Sequence, residues 1–168
     1  MPLSRLRPAA VAVAAAAACA FTVPAYARLL EHKDLTAAIA ITIAQTAIET
    51  CKAQGYAVSA TVVGRNGEII VQVRGDNAPP HTLENSFRKA YTARTLRSPS
   101  GALVERIKTD PIFSNFLYLT NIIALPGALP IKVDEDVIGA AGASGAPGGD
   151  KDEACIKAGL DKVADQLK

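Results

Sequence analysis

Residues 127–160 read GALPIKVDEDVIGAAGASGAPGGDKDEACIKAGL. Leu129 to Val133 is a short aliphatic run bounded by Pro126-Gly127 and by the acidic turn Asp134-Glu135-Asp136, and Val137 to Ala143 is a second; both read as strands. Gly139 and Gly142 lie inside the second run, where glycine marks a bulge or the close approach of another backbone or a ligand. The connector Ser144 to Gly149 leads to Asp150, which with Glu153 has the spacing of an N-cap and its capping-box partner. A helix is therefore predicted from Lys151 to Leu167, with Ile156, Leu160, Val163 and Leu167 as its core stripe. Gly159 sits in mid-helix, where it costs ~1 kcal/mol relative to alanine, and so predicts close packing there.

Upstream, Leu35 to Gln54 carries an apolar stripe (Leu35, Ile39, Ile43, Ala47, Cys51), with Asp34 or Thr36 as cap and Gly55 past its end. The runs Tyr56 to Val63 and Glu68 to Arg74 flank Asn66-Gly67, a strong hairpin signal. A second helix is predicted from Thr82 to Thr95, capped by Thr82, with Leu83, Phe87, Ala90 and Tyr91 as its apolar side and Arg88, Lys89 and Arg94 opposite. A short helix over Gly101 to Lys108 ends before Pro111. Phe113, Phe116, Leu117, Tyr118 and Leu119 follow as the densest apolar cluster, and Ile122 to Leu125 reads as a further strand. The order α-β-β-α-α-β-β-β-α predicts an α+β domain with a single antiparallel sheet of about five strands flanked by helices, not a doubly wound sheet.

The first residues read as a signal peptide: basic Arg5 and Arg7, an apolar stretch from Ala9 to Val23, and Ala25-Tyr26-Ala27 as a small-x-small cleavage site. Cleavage after Ala27 leaves residues 28–168 as one domain, exported to the periplasm or secreted. No other stretch approaches the ~18 unbroken apolar residues of a membrane span. Losing Arg5 and Arg7 with the leader brings Lys+Arg from 18 to 16, equal to the 16 Asp+Glu. A formal charge of zero argues against nucleic acid or an anionic membrane as the main partner and favours self-association. The apolar cluster Phe113 to Leu119 and the small-residue strand Gly139 to Ala143 point to a homo-oligomer. Cys51 and Cys155 survive cleavage; in an exported chain the pair predicts a disulfide, the alternative being two separate buried thiols.

Metal or redox chemistry needs His, Cys or clustered carboxylates, and beyond the leader there are only His32 and His81, far apart. His81 stands at a helix mouth, where the dipole favours a neutral imidazole able to ligate a metal; shaping the turn before Thr82 is the alternative. His32 lies in an N-terminal arm. The Gly-rich connector is neither a P-loop nor a GxGxxG motif, and Ser144 lacks the nucleophile-elbow pattern, so no catalytic residue is assigned. What the connector offers around Ser144 and Gly145 is free backbone N–H groups suited to a carboxylate or phosphate, or simply a tight turn.

Leu129-Pro130-Ile131, Val137-Ile138-Gly139-Ala140 and Ala143-Ser144-Gly145, followed by Asp152, Ala158 and Gly159, resemble the C-terminal signature of the GlcG/HbpS-like family of haem-binding proteins. Arg74, Asp76, Ala78, His81-Thr82-Leu83 and Lys89-Ala90-Tyr91-Thr92-Ala93 resemble the same family's second-helix stretch, and the likeness runs from about Leu35 to Val163. Ala128, Asn77 and the glycine-free turn Asp134-Glu135-Asp136 depart from it, touching turns more than core. The resemblance implies a single antiparallel sheet in profilin-like α/β layers, with the first and last helices side by side so that Cys51 can meet Cys155. It also implies an exported, oligomeric haem- or tetrapyrrole-binding protein serving as scavenger, buffer or sensor accessory. The alternatives are slow peroxide-dependent haem degradation and a binding subunit for a small organic acid. For haem, the candidate axial ligand is His81, with His32 and Tyr91 behind it. The propionates would fall to helix-mouth N–H groups, including those at Ser144 and Gly145, or to Arg88 or Arg94.

Overall fold

The computed structural model describes residues 29–168. The leader expected over residues 1–27, with its cleavage point after Ala27, lies outside them. Thr36 caps helix α1 (Ala37–Ala53) by accepting from the N–H of Ile39, and Gly55 takes the left-handed φ of +82° that the chain needs just past the helix end. Strands β1 (Ser59–Val63) and β2 (Ile69–Arg74) form the expected hairpin. Helices α2 (His81–Leu96) and α3 (Ala102–Thr109) follow, then a 3-10 helix Pro111–Tyr118, strands β3 (Ala128–Val133) and β4 (Asp136–Ser144), and helix α4 (Gly149–Lys162) with a last 3-10 turn Ala164–Gln166. The sheet has four antiparallel strands in the order β2-β1-β4-β3.

The fifth strand expected over Ile122 to Leu125 does not form. That segment crosses α2 instead, where Arg88 donates to Ile122 O at 2.8 Å and the Ile123 N–H donates to Thr92 Oγ1 at 2.9 Å. Side chains thus satisfy backbone groups that a strand would have paired along a ladder. The Phe113 to Leu119 cluster is likewise no core element: its 3-10 helix buries no residue, and Ile112, Leu117, Tyr118 and Leu119 are exposed.

One face of the sheet packs against α1 and α4, the other against α2. The first face is the main apolar core, built from Ile43, Ala47, Val62, Ile131, Ala141 and Ile156 among others. A Cβ placed on Gly159 would fall 2.5 Å from Ile43 O, so the mid-helix glycine is what lets α4 lie this close to α1. Across that contact Cys51 and Cys155 form the disulfide, Cα to Cα 5.6 Å.

The α2 face is packed by hydroxyls. The apolar side expected of α2 is wrong in part: Leu83, Phe87 and Tyr91 are half-buried, while Thr82, Ser86, Lys89 and Thr92 are buried beside Ala90 and Ala93. Thr82 is not the N-cap, because the helix already starts at His81 after Pro80. Its hydroxyl shares a 2.7 Å hydrogen bond with that of Ser59, and Thr61 and Ser86 make an equivalent 2.7 Å pair one turn along. Small polar side chains that bond to one another let the helix backbone approach the strands closely without leaving orphaned polar atoms. At Gly142 an added Cβ would meet Ser86 O at 2.6 Å and Ala90 N at 2.8 Å, which is the close approach that a glycine inside a strand marks.

Candidate functional site

Helices α2 and α4 both begin at the same end of the sheet, where β4 runs out at Ser144, and a cavity of about 220 Å³ lies between their first turns. His81, Asn85 and Lys89 recur at i+4 along α2 and present one stripe to it. Ser144, Gly145 and Ala146 come from the end of β4 and its connector, Gly149 and Asp152 from the start of α4, and Leu125 and Pro126 from the segment that crosses α2.

The start of α4 differs from the capping box expected at Asp150 and Glu153. Gly148 is the N-cap at φ +129°, a conformation that side chains other than glycine rarely adopt, and the helix begins at Gly149. Asp152 Oδ1 accepts from the N–H of Ala146 at 3.0 Å, folding the connector back onto the helix mouth. Burial pushes the Glu153 carboxyl up from its usual range, with the Gly127 N–H opposing the rise.

Beneath the cavity, the Lys89 ammonium donates to Asp152 Oδ2 at 2.7 Å and to Ala143 O at 3.1 Å, with the two side chains 5% and 3% exposed. Lys89, expected on the solvent side of α2, is thus turned inward, because Asp152 and a strand carbonyl satisfy its charge. A Cβ on Gly127 would stand 2.8 Å from Lys89 Nζ and 2.9 Å from Asp152 Cβ, so that glycine makes room for the pair. Burial pushes the Asp152 carboxyl up, and the Lys89 ammonium and the Ala146 N–H act against it. With its ammonium so engaged, Lys89 is a positioning and charge-balancing group rather than a nucleophile.

Of the residues singled out from the sequence, His81, Ser144 and Gly145 share this cavity. His81 is exposed on its rim, and its ring makes no hydrogen bond among the described residues. Ser144 is 4% exposed, and its hydroxyl is likewise without a partner there. Tyr91 lies ten positions further along α2, about 15 Å away at 1.5 Å per residue, with its ring against Gly67 of the β1–β2 turn and 5.8 Å from Phe87. Arg88 is held by Glu84 at 3.6 Å and by Ile122 O. Arg94, lowered in pKa first by burial and then by Arg97, has its Nε buried without a partner. His32 pairs with Asp34 at 3.3 Å, and Asp34 with Arg65, which also binds Asp136. Asp136 starts the nine-residue strand that ends at Ser144, so His32 is held at the opposite end of the sheet, roughly 25 Å away. Asn85, and the roles of Lys89 and Asp152, escaped the sequence reading. The one available signal was that Lys89 and Asp152 both fall in the stretches that carry the family resemblance.

A larger groove of about 570 Å³ runs between α1 and the free edge of β2, past Ile41, Ile48, Tyr56 and Val73. Its lining is more apolar, and it holds no histidine; Glu49 and Arg74 line it beside the exposed Lys52–Asp76 ion pair, 3.1 Å apart. Among the described residues no group of three His, Cys, Asp or Glu side chains could hold a metal ion, and no helix is long and apolar enough to cross a membrane.

A crystal structure of HbpS superposes on this chain with a TM-score of 0.76 at 33% identity, covering 82% of this chain and 98% of that one. A double mutant of Streptomyces reticuli HbpS gives 0.76 at 31% identity, over 93% and 99%. A structure described as a PduOC:heme complex shares the fold at 19% identity, with a TM-score of 0.70 over 76% of this chain and 93% of that one. No curated protein matches the chain. The family described as haem degrading protein HbpS-like matches residues 35–161, nearly the whole domain, and it is to this HbpS-like family that the chain belongs.

Proposed function

We propose that this is an exported, oligomeric haem-binding protein that scavenges or buffers haem or serves a haem sensor, with His81 as the axial ligand to the iron. The observation that carries the reading is the place of His81: an exposed imidazole on the rim of a polar cavity, in the first turn of a helix, in a chain of the HbpS-like family. The residues suit the two polar ends of haem, an imidazole for the iron and donors for a propionate. Drug-sized ligands occupy clefts of about 300–1,000 Å³, so a cavity of about 220 Å³ receives an edge of the molecule and not the macrocycle. Bound haem supplies redox chemistry at its iron; this chain supplies the ligand, the orientation and the charge balance. Tyr91, Arg88 and Arg94 stand away from this cavity and His32 at the far end of the sheet, so His32 remains only an alternative ligand at a separate place.

The test is a hemin titration of the purified protein followed by peroxide, with light scattering for the assembly state. Saturable binding with a Soret shift that survives peroxide supports the binding role, and bleaching supports slow haem degradation. A spectrum indistinguishable from free hemin at every ratio overturns the proposal.

A further inference from the structure

We propose that the cavity between the mouths of α2 and α4 is a carboxylate subsite, in which Ser144 and Asn85 supply side-chain donors beside the helix N-termini. The proposal deepens the haem reading where the carboxylate is a propionate, and stands without it where the carboxylate belongs to a free small organic acid.

Ser144 is the observation that points to a ligand. It is more than nine-tenths buried, lines the cavity, and its hydroxyl has no hydrogen-bond partner among the described residues, whereas Ser59, Thr61, Thr82 and Ser86 nearby are all paired. The Ser144 oxygen stays open to the cavity, so the hydroxyl is a donor free for whatever enters there. The half-buried Asn85 amide, which also makes no side-chain hydrogen bond there, stands on the same wall. The charged acceptors nearest the cavity are already engaged. The Asp152 oxygens are taken by Lys89 and Ala146, and the Ala143 carbonyl by Lys89. An ammonium has three N–H donors, so Lys89 keeps one unused. Two full helices of 16 and 14 residues begin here, placing the positive ends of both dipoles at one cavity.

Charge decides the class of ligand. Lys89 and Asp152 cancel each other, leaving the helix mouths to favour one negative charge. Asp150 in the first turn of α4 and Glu84 in the first turn of α2 work against a second. A monocarboxylate, or one carboxylate arm of a larger molecule, fits that balance; a phosphate dianion does not.

Calorimetric titration of the purified protein with acetate, succinate, inorganic phosphate, hemin and hemin dimethyl ester tests it, alongside Ser144→Ala and Asn85→Ala checked for unchanged thermal melting. If the source is a propionate, hemin binds at least about tenfold more tightly than its dimethyl ester, and Ser144→Ala removes that difference, as losing a hydrogen bond to a charged group predicts. If the source is a free acid, acetate or succinate binds saturably, phosphate does not, and both variants weaken the acid by about tenfold. Acid binding without hemin binding would defeat the haem reading and leave the subsite intact. Equal affinities for hemin and its ester together with no acid binding, or affinities that both variants leave unchanged, would overturn the subsite.

Discussion

Lys89 and Asp152 come from helices on opposite faces of the sheet and meet end to end, Nζ to Oδ2 2.7 Å, beyond the last residues of β4. The pair ties the mouth of α4 to the middle of α2 through a buried contact. Removing one partner leaves an uncompensated buried charge, which typically costs 3–5 kcal/mol, whereas replacing both with apolar groups of similar size is often near neutral. Lys89→Met should therefore destabilise the fold by about 3 kcal/mol or more, and Lys89→Met with Asp152→Leu by distinctly less. Denaturant melts of the two variants decide it; equal losses would mean the ions do not act as a pair.

His81→Ala should weaken hemin affinity by at least about tenfold, roughly 1.4 kcal/mol, and abolish the low-spin spectrum. His32→Ala should do much less, since His32 is tied to Asp34 at the other end of the sheet. An unchanged spectrum in His81→Ala would redirect the search to the larger groove, where Tyr56 is the available ring donor.

Opening the Cys51–Cys155 bridge releases a loop of 104 residues, for which chain entropy gives about 4.7 kcal/mol as an upper figure. Cys51→Ala with Cys155→Ala should lower stability by about 2–4 kcal/mol. Intact mass of the wild-type protein should rise by about two daltons on reduction, one hydrogen per sulfur; no rise would mean free thiols.

Glu153 titrates above its ordinary value of 4.5 because it is partly buried. A folded-state pKa raised above the unfolded one contributes stability that is fully present below the unfolded pKa and is lost as pH rises through the folded pKa. The stability of wild type relative to Glu153→Gln should therefore fall from about pH 4 toward neutrality, the higher limit being set by the folded pKa. Paired denaturation midpoints across that window check the sign, and a gap that widens in favour of wild type as pH rises would refute it.

Gly159→Ala should cost about 1–3 kcal/mol, the usual range for overpacking, despite alanine's better helix propensity, since the new methyl would meet the Ile43 carbonyl. A variant as stable as wild type would show that α1 can retreat without loss.

Much of the architecture was legible because period and punctuation agree there. The Asn66-Gly67 hairpin, the α1 stripe and the close packing signalled by Gly142 and Gly159 each had a local cause that the structure repeats. What the periodicity missed was the α2 face, because a pattern read as apolar against polar has no place for hydroxyls that bury one another across a helix–strand contact. The same blindness hid Lys89, whose inward turn depends on an aspartate 63 residues away in sequence. The spurious strand at Ile122 to Leu125 has the right composition. Its backbone partners are the side chains of Arg88 and Thr92, which no local window contains. Of the candidate site, the sequence singled out His81, Ser144 and Gly145, which share the cavity, and also Tyr91, Arg88 and Arg94, which stand elsewhere along α2.

The two hydroxyl pairs, Ser59 with Thr82 and Thr61 with Ser86, sit one helical turn apart on α2 and two residues apart on β1. A greasy interface tolerates a sliding helix, since apolar contacts are non-directional; two hydrogen bonds at matched intervals act as dowels and admit one axial setting. His81 directly precedes the first dowel, and β4, paired to β1 residue by residue through Ser59↔Ser144, carries the other wall of the cavity. The spacing between His81 and Ser144 is thereby machined into the scaffold, so that Thr82→Val, a change of nearly neutral volume at a buried position, would loosen the jaw rather than the hinge.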